Sequence, residues 1–201
     1  YLINNAGVAE GRTFHQTTLE DFNEITSINF NGAVNVSHAC FKHMYKNDFG
    51  SILFTTSGAG LFGQHGMPAY SSSKAALIGL AHSLHLEAKK KNLNINVLSP
   101  FALTNMTKNF LSTSQKQMFT AEKIAPIVKF LLETQIISGN IFIAGGGHFK
   151  IARMIENNGI NLSGLNHISD VDIKDHLESL MSLDEIVTRE DASESFEALE
   201  N

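Results

Sequence analysis

The chain has 201 residues, of which 43% are hydrophobic and 17% charged, so its composition is that of a globular domain and not of a disordered segment. A formal net charge of −5 argues against a nucleic-acid-binding protein, which usually carries a basic excess. A single cysteine, Cys40, excludes an intrachain disulfide, as is usual in a reducing compartment. No apolar run approaches the ~20 residues of a membrane-spanning helix.

Strands and helices alternate along the first 150 residues. In chain order, the hydrophobic pattern and the turn residues predict a strand at Tyr1–Ile3, helices from about Thr18 to Ser27 and from about Asn29 to Tyr45, a strand at Ser51–Thr56, a Gly-rich loop at Ser57–Met67, a helix from Pro68 to about Lys90, a strand at Asn94–Leu98, a helix at Ala121–Glu133 and a last strand at Asn140–Ala144. This order predicts an α/β fold, a Rossmann-like doubly wound parallel sheet with helices on both faces. The ligand of such a sheet lies at the carboxyl ends of its strands.

The two ends of the chain differ from its middle. Because Tyr1–Ile3 already has the pattern of a buried strand, and a folded domain rarely opens inside one, we expect upstream sequence with the first βαβ units to be missing. Residues 159–201 are acidic and rich in Ser and Asn, with helix candidates near 171–182 and 191–199. We therefore predict a main domain at residues 1–158 and an acidic appendage or linker at residues 159–201.

The strongest chemical signal is Tyr70 and Lys74 on the helix that follows the Gly-rich loop. Four residues apart, they share one helix face. A phenol is almost fully protonated at neutral pH, and a nearby ammonium group favours its phenolate form, which can act as a base. Ser57 begins the loop after a strand, thirteen residues before Tyr70, where its hydroxyl can hold a substrate oxygen.

Asn29 is a fourth candidate, because a polar amide at the start of an apolar helix is costly to bury unless it is hydrogen-bonded. It can bind a water that links Lys74 to solvent. Asn31 and Asn35 are rivals by spacing, although cap or surface roles suit them better.

Two further turns follow strand ends. Asn4-Asn5-Ala6-Gly7 comes after the first strand, where Gly7 allows close backbone approach and an Asn side chain can bridge strands or a ribose. Ser99-Pro100 precedes a loop with Thr104 and Thr107, whose hydroxyls can reach a nicotinamide carboxamide. An ordinary turn explains the residues of each segment about as well as a cofactor contact does. The sequence suggests no metal ligands.

Taken together, these residues resemble the short-chain dehydrogenase/reductase family over about residues 1–150. The resemblance implies that Tyr70 is the acid/base, Lys74 binds the ribose and stabilises the phenolate, Ser57 orients the substrate and Asn29 anchors a proton relay. It also implies a set of cofactor contacts, namely Asn5, Ala6, Gly7, Tyr70, Lys74, Pro100 and Thr104.

Within that family, the segments Ser57–Lys74, Ser99–Thr107 and Asn140–Gly147 are most similar to the (3R)-hydroxyacyl-CoA dehydrogenase domains of peroxisomal multifunctional enzymes. The resemblance implies NAD-dependent oxidation of (3R)-hydroxyacyl-CoA to 3-ketoacyl-CoA in fatty acid β-oxidation. It further implies an acyl-CoA substrate, a homodimer through the two long helices and a fused or partner hydratase domain. The implied location is the peroxisome, or the cytoplasm for a prokaryotic source; secretion is not expected.

The sequence departs from the family where the nucleotide pyrophosphate binds. The TGxxxGxG turn has no counterpart, since neither Gly58-Ala59-Gly60 nor Gly145-Gly146-Gly147 opens a helix after a first strand. Phe101 stands where many members have Gly.

NAD is expected, with NADP left open, and the 201-residue chain alone should bind little nicotinamide. The alternatives are an NADPH-using enzyme like 3-oxoacyl carrier-protein reductase, or an inactive truncated remnant that keeps only the dimer surface.

Overall fold

The computed structural model describes residues 1–109 and 111–199. They form two compact units, the first spanning Tyr1–Ala152 and the second beginning at Arg153. The elements of the first unit are β1 (Leu2–Asn4), α1 (Leu19–Thr26), α2 (Gly32–Asn47), β2 (Gly50–Thr55), α3 (Gly58–Phe62), α4 (Pro68–Ala88), β3 (Leu93–Phe101), α5 (Thr113–Met118), α6 (Ala125–Glu133), β4 (Ile141–Gly145) and β5 (His148–Ala152).

The five strands form one sheet in the order β1-β2-β3-β4-β5, and the first four are parallel. Alternate residues of β2 enter different cores, because neighbouring side chains of a strand point to opposite faces. Phe54 belongs to the core that includes Leu77 of α4, whereas Leu53 belongs to the core that includes Leu131 of α6. Helices therefore cover both faces, and the predicted Rossmann-like α/β fold is confirmed.

The strand β5 was not predicted, and it runs antiparallel to β4. The two strands are joined by Gly146 and Gly147, whose φ angles are 60° and 89°. Two consecutive residues with positive φ make the tight turn that best matches the twist of a β-hairpin, and glycine adopts it without strain. The sheet is therefore mostly parallel with an antiparallel edge.

The predicted break between two helices near residue 28 is wrong. A π-helical turn at Ser27–Asn31 joins α1 directly to α2, and the residues at both junctions have helical backbone angles. Such a turn adds one residue to the helical repeat and is common at functional sites. The predicted start of α1 is confirmed, since the Thr18 hydroxyl accepts a 3.1 Å hydrogen bond from the Asp21 amide.

Two predicted strands and the Gly-rich loop also need correction. The strand β1 is not buried, because it is the edge of the described sheet and Ile3 is 46% exposed. The strand β3 continues through Phe101, so Pro100 lies inside it and not after it. Part of the predicted loop after β2 is the short helix α3, which Ser57 caps.

The second unit holds two short strands and three short helices among residues 153–199. These elements are β6 (Glu156–Asn157), α7 (Asp170–Asp175), α8 (Leu177–Met181), β7 (Ile186–Val187) and α9 (Ala192–Glu197). The helix candidate at 171–182 is thus divided at His176. Glu156 links β6 to α9, because its carboxylate pairs with Arg189 and accepts a 2.8 Å hydrogen bond from Ser195 of α9.

Within residues 1–109 and 111–199, no helix is long and apolar enough to cross a membrane.

Candidate active site

Tyr70 and Lys74 lie one turn apart near the start of α4, where that helix returns to the carboxyl ends of the parallel strands. The Lys74 amine is 5.9 Å from the centroid of the Tyr70 ring. It also donates a 2.8 Å hydrogen bond to the carbonyl of Thr55, the last residue of β2. The predicted pair is therefore brought together, and the end of β2 fixes the position of its amine.

Burial changes the acidity of this amine. Lys74 is 3% exposed, and desolvation lowers its pKa from 10.5 to about 8. At pH 7 it still carries its proton, so it places a positive charge in the poorly hydrated interior beside the half-buried Tyr70. A charge in such an environment is screened less by water than the charge of a lysine on the surface.

Ser57 follows β2 at the same edge of the sheet. Its hydroxyl oxygen accepts a 3.2 Å hydrogen bond from the amide of Ala59 and thereby caps α3. Because a hydroxyl has one donor and two acceptor positions, the capping bond leaves its hydrogen free to be donated. Ser57 can therefore donate to an oxygen atom at this edge while its own orientation is fixed by the helix it caps.

Asn29 lies in the π-helical turn and is 1% exposed, whereas its rivals Asn31 and Asn35 are exposed. Its side chain accepts a 2.8 Å hydrogen bond from the Val8 amide and donates one of 2.9 Å to the Val8 carbonyl. Its second amide hydrogen goes to the Ser73 hydroxyl at 3.0 Å. Both amide hydrogens and one acceptor position of the amide oxygen are thus used in holding the loop after β1 against α4.

The loop after β1 passes close to the amine. A Cβ atom built on Gly7 would lie 3.2 Å from Lys74 Nζ and 3.1 Å from Asn29 Oδ1, so a side chain at this position would crowd both groups. Asn5 and Ala6, the two residues before it, are exposed. The sequence thus permits the backbone of this loop to come close to the amine, as a cofactor-binding turn requires.

Three of the predicted cofactor residues share one cavity of about 550 Å³. Asn5, Pro100 and Thr104 line it together with Thr55 and with apolar residues of β2, β3 and α6. Thr107, the alternative to Thr104, is used inside its own loop, because its hydroxyl donates to the Ala102 carbonyl at 2.6 Å and accepts from the Thr104 amide at 2.8 Å.

Ser57, Tyr70 and Lys74 do not line this cavity, but the Lys74 amine is suited to bind the ribose of a nicotinamide nucleotide. An ammonium group has three hydrogens, and Lys74 uses one of them for Thr55 among the described residues, which leaves two for ribose hydroxyls. Phe101, the residue after Pro100, packs edge-on against Phe119, with ring centroids 4.8 Å apart. No three His, Cys, Asp or Glu side chains cluster as a metal site within the described parts of the chain.

Sequence reasoning missed two groups of this site. The Thr55 carbonyl is a main-chain atom, and residue-type patterns carry no signal for it. Ser73, inside the Tyr70–Lys74 motif, is buried and bonds Asn29. Its position, one residue before Lys74 and three after Tyr70, was the available signal, since residues three apart on a helix share a face.

The family model described as short chain dehydrogenase matches residues 1–115. A peroxisomal hydratase-dehydrogenase-epimerase of Saccharomyces cerevisiae is 36% identical over 159 residues, which are 79% of this chain and 18% of that protein. The peroxisomal multifunctional enzyme A of Dictyostelium discoideum is 31% identical over 195 residues, which are 96% of this chain and 44% of that protein.

Among solved structures, the full-length peroxisomal multifunctional enzyme type 2 of Drosophila melanogaster superposes with a TM-score of 0.88 at 24% identity. The superposition covers 99% of this chain and 38% of that one. It shows a shared fold. The chain spans less than half the length of each of these three proteins.

Proposed function

Since the chain belongs to the short-chain dehydrogenase/reductase family, we propose that its protein oxidises (3R)-hydroxyacyl-CoA to 3-ketoacyl-CoA with NAD, in fatty acid β-oxidation. The observation that carries the chemical step is the buried Lys74 amine, held by Thr55 and 5.9 Å from the Tyr70 ring. The names of the yeast and Dictyostelium relatives, a peroxisomal hydratase-dehydrogenase-epimerase and a peroxisomal multifunctional enzyme, support a peroxisomal dehydrogenase reaction.

In the proposed mechanism, the Tyr70 phenolate removes the proton of the C3 hydroxyl while the C3–H bond breaks. A bound nicotinamide would supply the acceptor for the hydride, so that the alcohol, having lost one proton to Tyr70 and one hydride, would become a ketone. Lys74 stabilises the phenolate by its positive charge and holds the ribose. Ser57 donates its free hydroxyl hydrogen to the substrate oxygen and fixes its position.

The remaining cofactor contacts are proposals of the same kind. Thr104 would reach the nicotinamide carboxamide from the cavity that it shares with Asn5 and Pro100. Ala6 and Gly7 would offer their backbone to the ribose. We propose that Asn29 keeps the role of relay anchor, with its side chain engaged on Val8 and Ser73.

We further propose a peroxisomal homodimer that pairs through α2 and α4 and cooperates with a hydratase domain. Three small residues, Ala75, Gly79 and Ser83, lie exposed along one face of α4, and a Cβ atom on Gly79 would meet nothing within 4 Å. Such a face permits close helix approach, and the exposed Val36 of α2 would add apolar contact.

The test is an assay of the full-length protein with (3R)- and (3S)-hydroxyacyl-CoA, each with NAD and with NADP, read by absorbance of the reduced cofactor. The proposal predicts turnover of the (3R) substrate and a preference for NAD. A preference for NADP would place the chain with NADPH-using reductive enzymes such as 3-oxoacyl carrier-protein reductase. Turnover of neither hydroxyacyl-CoA would contradict the proposal and would favour a role in assembly alone.

A further inference from the structure

Ser73 is buried between the two residues of the proposed catalytic pair and is 1% exposed. Its hydroxyl donates a 2.8 Å hydrogen bond to the Tyr70 carbonyl, one turn earlier in α4. The same oxygen accepts the 3.0 Å hydrogen bond from the Asn29 amide. Since a hydroxyl has a single hydrogen, the two bonds fix its orientation.

The Asn29 amide cannot turn without losing its other bonds. Its oxygen and its second hydrogen are both engaged by the backbone of Val8. A rotation of the amide would therefore break all three contacts together. Three separate parts of the fold, namely the loop after β1, the π-helical turn and the Tyr70 turn of α4, are thus linked through the Asn29–Ser73 hydrogen bond.

The neighbouring Ser72 is a useful comparison, because in the described structure its hydroxyl bonds only within the helix and does not reach Asn29. Its hydroxyl also bonds carbonyls one turn earlier, those of Pro68 at 2.8 Å and Ala69 at 3.2 Å. Ser72 is exposed, and its hydrogen bonds stay within α4. Both serine hydroxyls therefore donate to a carbonyl one turn earlier in α4. Ser73 differs in that it also accepts a hydrogen bond from Asn29.

We propose that Ser73 is a positioning residue, which holds the Tyr70 turn of α4 in register with the loop at residues 5–8 that approaches Lys74. This inference rests on the proposed function for the role of Tyr70 in proton transfer. Ser73 would act through the Asn29 amide and the Tyr70 carbonyl and not on the reacting atoms. Its loss should lower the rate of the chemical step, because displacement of a reacting group by ~1 Å can cost about 100-fold, and should leave substrate affinity little changed.

The experiment compares Ser73→Ala with Ser72→Ala in the full-length protein by two readouts. The rate of amide hydrogen exchange at Val8 reports whether Asn29 still holds the Val8 amide, and its measurement does not require turnover. We expect exchange there to rise about tenfold or more in Ser73→Ala and to stay unchanged in Ser72→Ala. We also expect kcat of Ser73→Ala to fall about 10- to 100-fold, while KM for the acyl substrate changes less than about twofold.

Ser73→Thr keeps the hydroxyl and should recover the protection of Val8 and most of kcat; circular dichroism checks that each variant is folded. Equal behaviour of Ser73→Ala and Ser72→Ala in both readouts would overturn the proposal. If the wild-type protein shows no turnover, the proposed function fails, and the Val8 exchange comparison still decides whether Ser73 fixes this loop.

Discussion

The amine of Lys74 donates a 2.8 Å hydrogen bond to the carbonyl of Thr55 at a position where 3% of the lysine is exposed. This placement costs stability, because burial lowers the lysine pKa from 10.5 to about 8. Below pH 8 the folded state must carry a buried positive charge. Between pH 8 and 10.5 the unfolded chain binds more protons than the folded one, so stability rises with pH in this window.

The first prediction concerns Lys74→Met. At ~1.4 kcal/mol per pH unit, the pKa change corresponds to about 3 kcal/mol, which the wild type should gain between pH 7 and pH 10.5 and the variant should not. The measurement is the free energy of unfolding in urea at both pH values. Lys90→Met, at an exposed position, is the control and should keep the wild-type pH dependence. An identical pH dependence in Lys74→Met would contradict the buried charge.

A pair of glycines in α3 tests how closely that helix packs on α4. A Cβ atom at Gly60 would lie 2.7 Å from Thr56 Oγ1 and 2.8 Å from Lys74 Cβ. Gly60→Ala should therefore destabilise the protein by about 1–3 kcal/mol and displace Lys74. Gly58→Ala meets nothing within 4 Å and should leave stability unchanged or raise it by up to about 1 kcal/mol. Thermal unfolding of both variants checks the contrast, which equal melting temperatures would refute.

The two roles assigned to Ser57 can be separated by substitution. Ser57→Ala should lose the cap of α3, at a cost of about 1 kcal/mol, and should also lower kcat about 100-fold, because the donor to the substrate oxygen is gone. Ser57→Asp keeps an oxygen that can cap but offers no hydrogen at neutral pH. We expect it to restore stability without restoring kcat. Recovery of turnover in Ser57→Asp would show that capping alone explains the residue.

The hairpin that joins β4 to β5 gives a test of the fold. Gly147 has a φ of 89°, and L side chains rarely adopt this conformation. Although the space around it is open, Gly147→Ala should cost about 1–3 kcal/mol through backbone strain. Gly164→Ala, also in open space but without a positive φ, is the control and should change stability by less than about 0.5 kcal/mol. A melting temperature of Gly147→Ala equal to that of Gly164→Ala would exclude strain at this turn.

The sequence predicted the layers of the fold because its strands and helices differ in hydrophobic period. The centre of the run at Ser51–Thr56 is the unbroken apolar segment Ile52-Leu53-Phe54, as expected of a strand covered on both faces, and every residue of the run is buried. The strand β5 escaped prediction since its side chains are mostly exposed, so its residues carry no core pattern. The signal that was present lay in the two turn glycines, Gly146 and Gly147.

At the candidate site, the sequence indicated which side chains to consider, and the structure added how they are held. Spacing alone left Asn29, Asn31 and Asn35 as rivals, and burial distinguishes the first of them. The π-helical turn that buries Asn29 has no sequence signature, because it depends on packing between α1, α2 and α4. The hydrogen bond from Lys74 to the Thr55 carbonyl could not be predicted either, because residue types carry no information about which main-chain atom a side chain meets.

The proposed chemistry depends most directly on the Tyr70 hydroxyl. The decisive measurement is the steady-state rate of (3R)-hydroxyacyl-CoA oxidation by Tyr70→Phe in the full-length protein, beside Tyr45→Phe as a control at an exposed position. We predict that Tyr70→Phe lowers kcat by about 10³-fold while the dissociation constant of the cofactor stays within about threefold, and that Tyr45→Phe is unaffected. A Tyr70→Phe enzyme that keeps its turnover would contradict the assignment of Tyr70 as the acid/base.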